Sequence, residues 1–573
     1  MNQHYLHRAH NTPRRSPLTT WALALMTVAV AVTVTRSAGP KFYQDDPIAR
    51  VPESQDAAGA NPHEISLLYS ISYNLFVTGR KPSSMTPAGN VNTIDELPDS
   101  SWFTDRIGAR ALSTEELVRG PDLGRPPAPS HWTVVREKSA GFAPGFTAKD
   151  ANGELWFVSF DPPSNPEGAT AAMVVATNIF WALGYNQVET FITSLRPDQV
   201  DIDPAATSKR PNGKRTPITR DDLEAVLRRG ARNADGSYRI AAGRLLPGKI
   251  LGGFDFEGTR SDDPNDLVPH QDHRELRALR VFGAWTNLTD MKAGNTLDTL
   301  IADGGRSTIR HFLQDVGSTF GMGANGPHDG HEGWEYVYQN NTTRNRMLSF
   351  GFALSPWQTM SYEDHDEIGL FEGDRFDPTT WKPRVPTGAF VNMRADDAFW
   401  AARRVMAFSD DAVRTLAHTG QYSDGTAEKY LADVLIKRRD KIGQAYLTAI
   451  NPIVEPTLDG SGVLRFGNAA VQYHFAEPPS AYAASWFTFD NTTGATTPIG
   501  QTTGAGPELR APSGLPSAPG AFIKVSLTAQ STAHPSWARP VDAFFTRLLS
   551  GWKLVGFTRL PDQPEGGSVR GPS

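Results

Sequence analysis

Within "NLTDMKAGNTLDTL", residues 287–300, an acid, a cation and a carboxamide fall inside six positions: Asp290, Lys292 and Asn295. A second acid, Asp315, follows in "QDVGSTFG", with Gly317 two places on. By residue type, such a set offers a proton acceptor, a positive charge and oxygen donors of the kind hard metal ions prefer. Asp and Asn are also common turn formers, so the same spacing alone reads equally well as punctuation. Other stretches invite metal chemistry. "HDGHE" supplies His328, His331 and Glu332, a pattern of histidines and a carboxylate that could hold zinc or a related ion and so support a metal-dependent hydrolase. Its Gly and Pro neighbours argue against the helix that would fix that geometry. "SDDPND", Asp262 to Asp266, is acidic enough for calcium but lacks alternating ligand spacing, and reads as a solvated turn. No G-x-S-x-G elbow with placed His and Asp partners is present.

The elements around the first constellation decide which reading holds. "HWTVVREKSAGFAPGF" reads as a strand, a Gly-containing turn and a second strand, and the "NG" after "TAKDA" sets a hairpin into "ELWFVSF". Asn165 is placed to cap, and Pro166 to open, a helix whose Ala169, Ala172, Met173, Ala176, Ile179, Phe180 and Leu183 share one apolar face, closed by Gly184. Asp272 and Glu275 have capping-box spacing ahead of the helix "HRELRALRVFGAWTN", which runs directly into the Asp290 loop. "TIRHFLQDVG" then reads as a strand ending at the second acid.

Five regions follow. Residues 1–40 carry arginines, an apolar run and "TRSAGP", the pattern of a signal peptide or membrane anchor. Residues 41–130 form an extended segment packed on a neighbouring domain, because Trp102, Phe103 and Ile107 need burial. Residues 131–258 and 259–451 are two mixed regions, the second mainly helical after residue 394, and 452–573 is a small β-rich module. The expected class is therefore α+β, and the chain is expected to be exported to a periplasm or cell surface, touching membrane only through its N-terminal segment if uncleaved. A net charge of −6 without a long basic run argues against nucleic acid as partner. With no cysteine, disulfides, thiolate nucleophiles and Cys-based zinc sites are excluded.

Three strands, a helix, further strands, a helix, an Asp/Asn loop and a strand leading to Asp-x-Gly: over roughly residues 131–450 this order resembles a protein-kinase-like fold. "TDMKAGN" resembles its D-x-K-x-x-N catalytic loop, and "DVG" its D-F-G. The resemblance is to the atypical branch, with its secretory-pathway, spore-coat and persistence-toxin kinases, and to a family of exported bacterial proteins sharing "FDPP", "NTLDTL" and "GSTFG"-like segments. It implies two lobes, 131–258 and 259–451, with the extension and the β-module appended. It also implies that Asp290 takes the proton of an acceptor hydroxyl, Lys292 sits beside the moving phosphoryl group, and Asn295 and Asp315 hold Mg or Mn with a nucleotide triphosphate. The acceptor would be a hydroxyl on a protein or small molecule.

Two parts of the nucleotide clamp depart from that pattern. Ser159 in "LWFVSFDPP" stands where a phosphate-holding Lys is expected, and Met173 where its Glu partner would be. Losing both avoids stranding one buried charge. Substitutes are Lys149, or Lys138 nearer the turn, with Glu167 reaching in from the first helical turn; Gly141 and Gly145 belong to a turn that would cover phosphates. The simpler readings are a solvated hairpin lysine and a glutamate complementing the helix N-terminus. The alternative to an active phosphotransferase is a catalytically silent kinase-fold scaffold or binding protein of the cell envelope.

Overall fold

The computed structural model describes residues 39–49, 53–78, 86–137, 144–210, 214–352 and 354–561. The N-terminal apolar run, Lys138 and Gly141 lie outside them. Among the described residues no helix is long and apolar enough to cross a membrane.

The N-terminal extension holds two short helices, α1 (Leu67–Phe76) and α2 (Thr114–Arg119). Ser113 opens α2 with the reciprocal Ser–Glu116 bonds of a capping box. Between them Trp102, Phe103 and Ile107 are buried in the main core, so the extension is anchored by its aromatic residues.

β1 (Trp132–Glu137), β2 (Gly145–Lys149) and β3 (Leu155–Phe160) form an antiparallel meander. The β2–β3 turn is the expected "NG" hairpin: the Asp150 carboxylate accepts the amides of Asn152 and Glu154, both at 3.0 Å, and Gly153 takes φ 80°. α3 (Gly168–Leu183) crosses next, followed by β4 (Thr190–Leu195), β5 (Val200–Lys209), β6 (Arg215–Pro217), α4 (Arg220–Leu227) and β7 (Tyr238–Arg244). β7 inserts between β3 and β4, giving the sheet order β4-β7-β3-β2-β1-β5-β6.

The start of α3 differs from expectation. Asn165 does not cap it; its side-chain amide donates to the Asp366 carbonyl at 2.9 Å. Pro166 and Glu167 make a turn, with Glu167 at φ 67°, and the helix opens at Gly168. A Cβ at Gly168 would lie 2.6 Å from Met322 Cε, so the first turn abuts the segment after Asp315. The capping role passes to Asp161, whose carboxylate accepts the Thr170 amide at 2.7 Å and hydroxyl at 2.8 Å.

β8 (Lys249–Gly252) leads to α5 (Arg274–Thr286), then to the antiparallel pair β9 (Thr296–Asp303) and β10 (Arg306–Leu313). The Asp272/Glu275 capping box is absent, because both acids are engaged elsewhere. Asp272 pairs with Arg277 at 2.6 Å, and Glu275 is buried against His273 at 3.0 Å and Asn90 at 2.7 Å. α6 (Asn340–Leu348) and α7 (Gly388–Val391) precede the helical layer of α8 (Ala395–Met406), α9 (Asp410–His418) and α10 (Gly425–Leu447).

The C-terminal strands form a three-stranded and a five-stranded antiparallel sheet. Alternation along Phe522–Gln530 buries Ile523, Val525, Leu527 and Ala529. These side chains belong to the same core as α5, α8 and α10. A buried ionic network closes the join. Arg274 reaches Asp397 at 3.1 Å and Asp95 at 2.7 Å, and Arg277 reaches the other Asp397 oxygen at 3.1 Å. Arg559, beyond the last strand, lies 3.5 Å from Asp95, donates to the Asn451 and Ile453 carbonyls, and stacks on Phe399.

Candidate functional site

α5 ends at Asn287, which takes the left-handed conformation with φ 56°, and this reversal starts the loop that carries Asp290. Asn287 also accepts the Trp381 indole N–H at 2.9 Å, which fixes the exit direction. Gly294 lies in a 3₁₀ turn beneath α1, where a Cβ would approach Leu67 Cδ2 to 2.7 Å.

Within the loop, Lys292 Nζ lies 2.6 Å from Asp290 Oδ2. Asn295 Nδ2 donates to the Asp290 carbonyl at 2.6 Å and to Oδ2 at 3.3 Å. That commits the amide nitrogen to Asp290 and leaves the Oδ1 lone pairs as the side chain's remaining ligating capacity. The two chain segments are joined by the Asn295 carbonyl, which accepts the amides of Gln314 at 2.9 Å and Asp315 at 3.1 Å. Asp315 is exposed, and its Oδ1 accepts the Gly317 amide at 3.1 Å. Asp290, Lys292, Asn295 and Asp315 all line one shallow, open depression beside Leu279, Leu288 and Leu313.

The nucleotide-clamp candidates lie elsewhere. Lys149 ends β2 opposite Leu155, beside the β2–β3 hairpin and at the other end of the strand from Gly145. Glu167 accepts the Ser423 amide at 2.7 Å. Gly145 is demanded by packing: a Cβ there would meet the Val158 carbonyl at 2.2 Å. Ser159 sits within β3 facing Gly145 and Ala241 across the ladder. Met173 packs on Gly317, where an added Cβ would lie 3.5 Å from its Cβ and Cε, so a thioether side chain borders the Asp-x-Gly turn.

Sequence reasoning missed the partners behind the loop. Arg384 pairs with Glu332 through two bonds of 2.8 and 2.9 Å and lies 3.5 Å from Asp290 Oδ1. Its amide donates to the Thr289 carbonyl at 2.9 Å, and the Thr289 hydroxyl donates to Glu332 at 2.6 Å. Burial pushes the Glu332 carboxyl up, but Arg384, His328 and Thr289 outweigh it and hold the pKa at about 2. Burial likewise drives His328 down, to about 4, against the pull of Glu332. Thr289 adjoins Asp290, but nothing local in the sequence marks Arg384 as its neighbour.

The rival metal sites are not assembled. His328 and Glu332 face Ser318 and Arg384, while His331 lies against Trp357. Among the described residues, the His/Asp/Glu grouping close enough to share an ion is His365, Glu367 and Asp424. In the acidic loop, Asp262 pairs with Arg260 at 2.9 Å and Asp266 with His270 at 2.8 Å, so these carboxylates serve internal contacts.

The meander, crossing helix, further strands, α5, Asp/Asn loop and hairpin into Asp-x-Gly follow the order of a protein-kinase-like fold of α+β class. No protein-family model matches the sequence, and no curated protein matches it. Among solved structures, a Golgi casein kinase with Mn/ADP bound is similar at 8% identity and a TM-score of 0.28, over 59% of this chain and 78% of that one. The Helicobacter pylori proinflammatory kinase CtkA is similar at 13% identity and a TM-score of 0.25, over 53% of this chain and 90% of that one. A further Golgi casein kinase structure shows 9% identity and a TM-score of 0.28, over 69% of this chain and 95% of that one. At such identities and scores, no activity carries over to this chain.

Proposed function

We propose that this chain is an exported kinase-like protein that binds a divalent metal with a nucleotide triphosphate and transfers phosphate to a hydroxyl acceptor. The observation that carries the reading is the meeting of Asp290, Lys292, Asn295 and Asp315, drawn from two segments, around one pocket. The donor set suits Mg or Mn: an exposed Asp315 carboxylate and an Asn295 oxygen, both hard, with solvent access for the waters such ions retain. The metal, when bound, would neutralise charge on the phosphates. Asp290 is the proton acceptor for the incoming hydroxyl. Lys292, already against that carboxylate, supplies positive charge beside the phosphoryl group.

A second reading, a silent envelope scaffold, is favoured by one observation. Ser159 and Met173 occupy the clamp positions, Lys149 lies at the opposite end of β2 from Gly145, and Glu167 is engaged by the Ser423 amide. Export rests on the N-terminal sequence pattern.

Thermal unfolding of the full chain with ATP and Mg or Mn separates the two. A ligand that binds the folded state alone stabilises it, by about 2.7 kcal/mol at a hundredfold excess over Kd. A metal-dependent rise abolished by Asp315→Ala, with transfer to a hydroxyl acceptor, is the expected result. No rise with any nucleotide makes the chain a scaffold.

A further inference from the structure

The segment after Asp315 carries a second constellation. Ser318 Oγ lies 2.9 Å from His328 Nε2. The other ring nitrogen, Nδ1, is buried with no hydrogen-bond partner and lies 3.8 Å from Glu332 Oε2. Glu332 is held in turn by Arg384 and the Thr289 hydroxyl. Hydroxyl and imidazole thus stand as a nucleophile–base pair, with the Glu332 carboxylate nearby but beyond hydrogen-bond reach of Nδ1. The burial is graded to suit: His328 is 5% exposed, Glu332 7%, and Ser318 keeps contact with solvent.

We propose that Ser318 is an activated nucleophile with His328 as its base, and that its electrophile is a phosphoryl group. The phosphoryl assignment follows from place. Ser318 is three residues beyond Asp315, a chain length that spans at most about 10 Å. It therefore sits on the segment that leads directly out of the Asp290–Asp315 pocket. The proposal rests on the nucleotide reading for the natural donor alone. In the step, an Oγ–P bond forms as the bond from the terminal phosphorus to its bridging oxygen breaks. The nucleoside diphosphate leaves, the Oγ proton passes to Nε2, and the imidazolium then releases it to water. Burial keeps His328 neutral at neutral pH, so the Nε2 lone pair is available.

The test treats the full chain with a fluorophosphonate, first in EDTA without nucleotide. Ser318 Oγ would displace fluoride from phosphorus, and peptide mapping should find the adduct on Ser318, absent from Ser318→Ala. His328→Gln should label about a hundredfold more slowly, the scale of a lost general base. In the unaltered chain, where folding is not in question, the labelling rate should reach a plateau above about pH 5. No adduct on Ser318, a rate indifferent to His328, or a rate that climbs with hydroxide to alkaline pH overturns the proposal. With MgATP added, phosphate on Ser318 supports it in full, and phosphate on other residues with Ser318 free overturns the phosphoryl assignment. No transfer, with fluorophosphonate labelling intact and the MgATP-dependent thermal shift present, overturns the phosphoryl assignment; no transfer and no thermal shift overturns the nucleotide reading and leaves the activated serine supported.

Discussion

The Arg384–Glu332 pair should couple the segment around residue 384 to the Asp290 loop by about 3 kcal/mol. Glu332 is 7% exposed and receives both bonds of the guanidinium fork. Stranding one partner of a buried pair costs roughly 3–5 kcal/mol, and the Arg384 side chain is 35% exposed, which places Arg384→Met at the lower end. Burial raises the Glu332 carboxyl, and the bonds from Arg384, the charge of His328 and the Thr289 hydroxyl together hold it at about 2. Glu332→Gln is milder, because Arg384 keeps Asp290 at 3.5 Å and Gln can still bond Thr289. A depressed carboxyl contributes in full above its unfolded pKa and loses that contribution as pH falls towards 2, so the cycle belongs at pH 7. Urea unfolding of the two single variants and the double variant, followed by tryptophan fluorescence, measures the coupling. With Arg384→Met at about 3 kcal/mol and a coupling of the same size, the double variant should cost no more than the milder Glu332→Gln alone. Strictly additive costs would refute the pair as the tie between these segments.

Two other outcomes are expected. His328, lowered from 6.5 to about 4, is bound neutral, so its contribution is whole above about pH 6.5 and falls by about 3 kcal/mol as pH drops to 4; urea titrations should show that slope reduced in His328→Gln, and equal slopes would contradict it. Gly294→Val should drive Leu67 away and loosen α1, because the added Cβ starts 2.7 Å from Leu67 Cδ2. Limited proteolysis should then cut within residues 61–78 several times faster, whereas unchanged cutting would mean α1 does not lean on the loop.

Much of the framework was legible because it is local. The hairpin follows from "DANG", α3 from its apolar period, and the burial of Trp102 and Phe103 from their size. The meeting of Asp290, Asn295 and Asp315 was readable as a resemblance, and the structure brings those residues to one pocket. What sequence could not reveal is long-range. Arg384 reaches the loop from 94 positions beyond Asp290, with no periodicity to mark it. Asp272 and Glu275 have capping-box spacing, but tertiary partners, Arg277 for one and His273 with Asn90 for the other, outcompete the local bonds. The start of α3 was missed for a similar reason: Asn165 is claimed by Asp366, and a residue four positions upstream, Asp161, caps in its place.

Arg559 has a kinetic corollary. The guanidinium next to Asp95 is supplied by almost the last described part of the chain, so a nascent polypeptide carries Asp95 and Arg274 long before their third member is synthesised. Until that residue emerges, the interior has an acid lacking one of its cations and carbonyls at Asn451 and Ile453 lacking their donor. Final consolidation is thereby deferred until residue 559 has been synthesised, and a ribosome-stalled fragment ending near residue 540 should be held open and digestible.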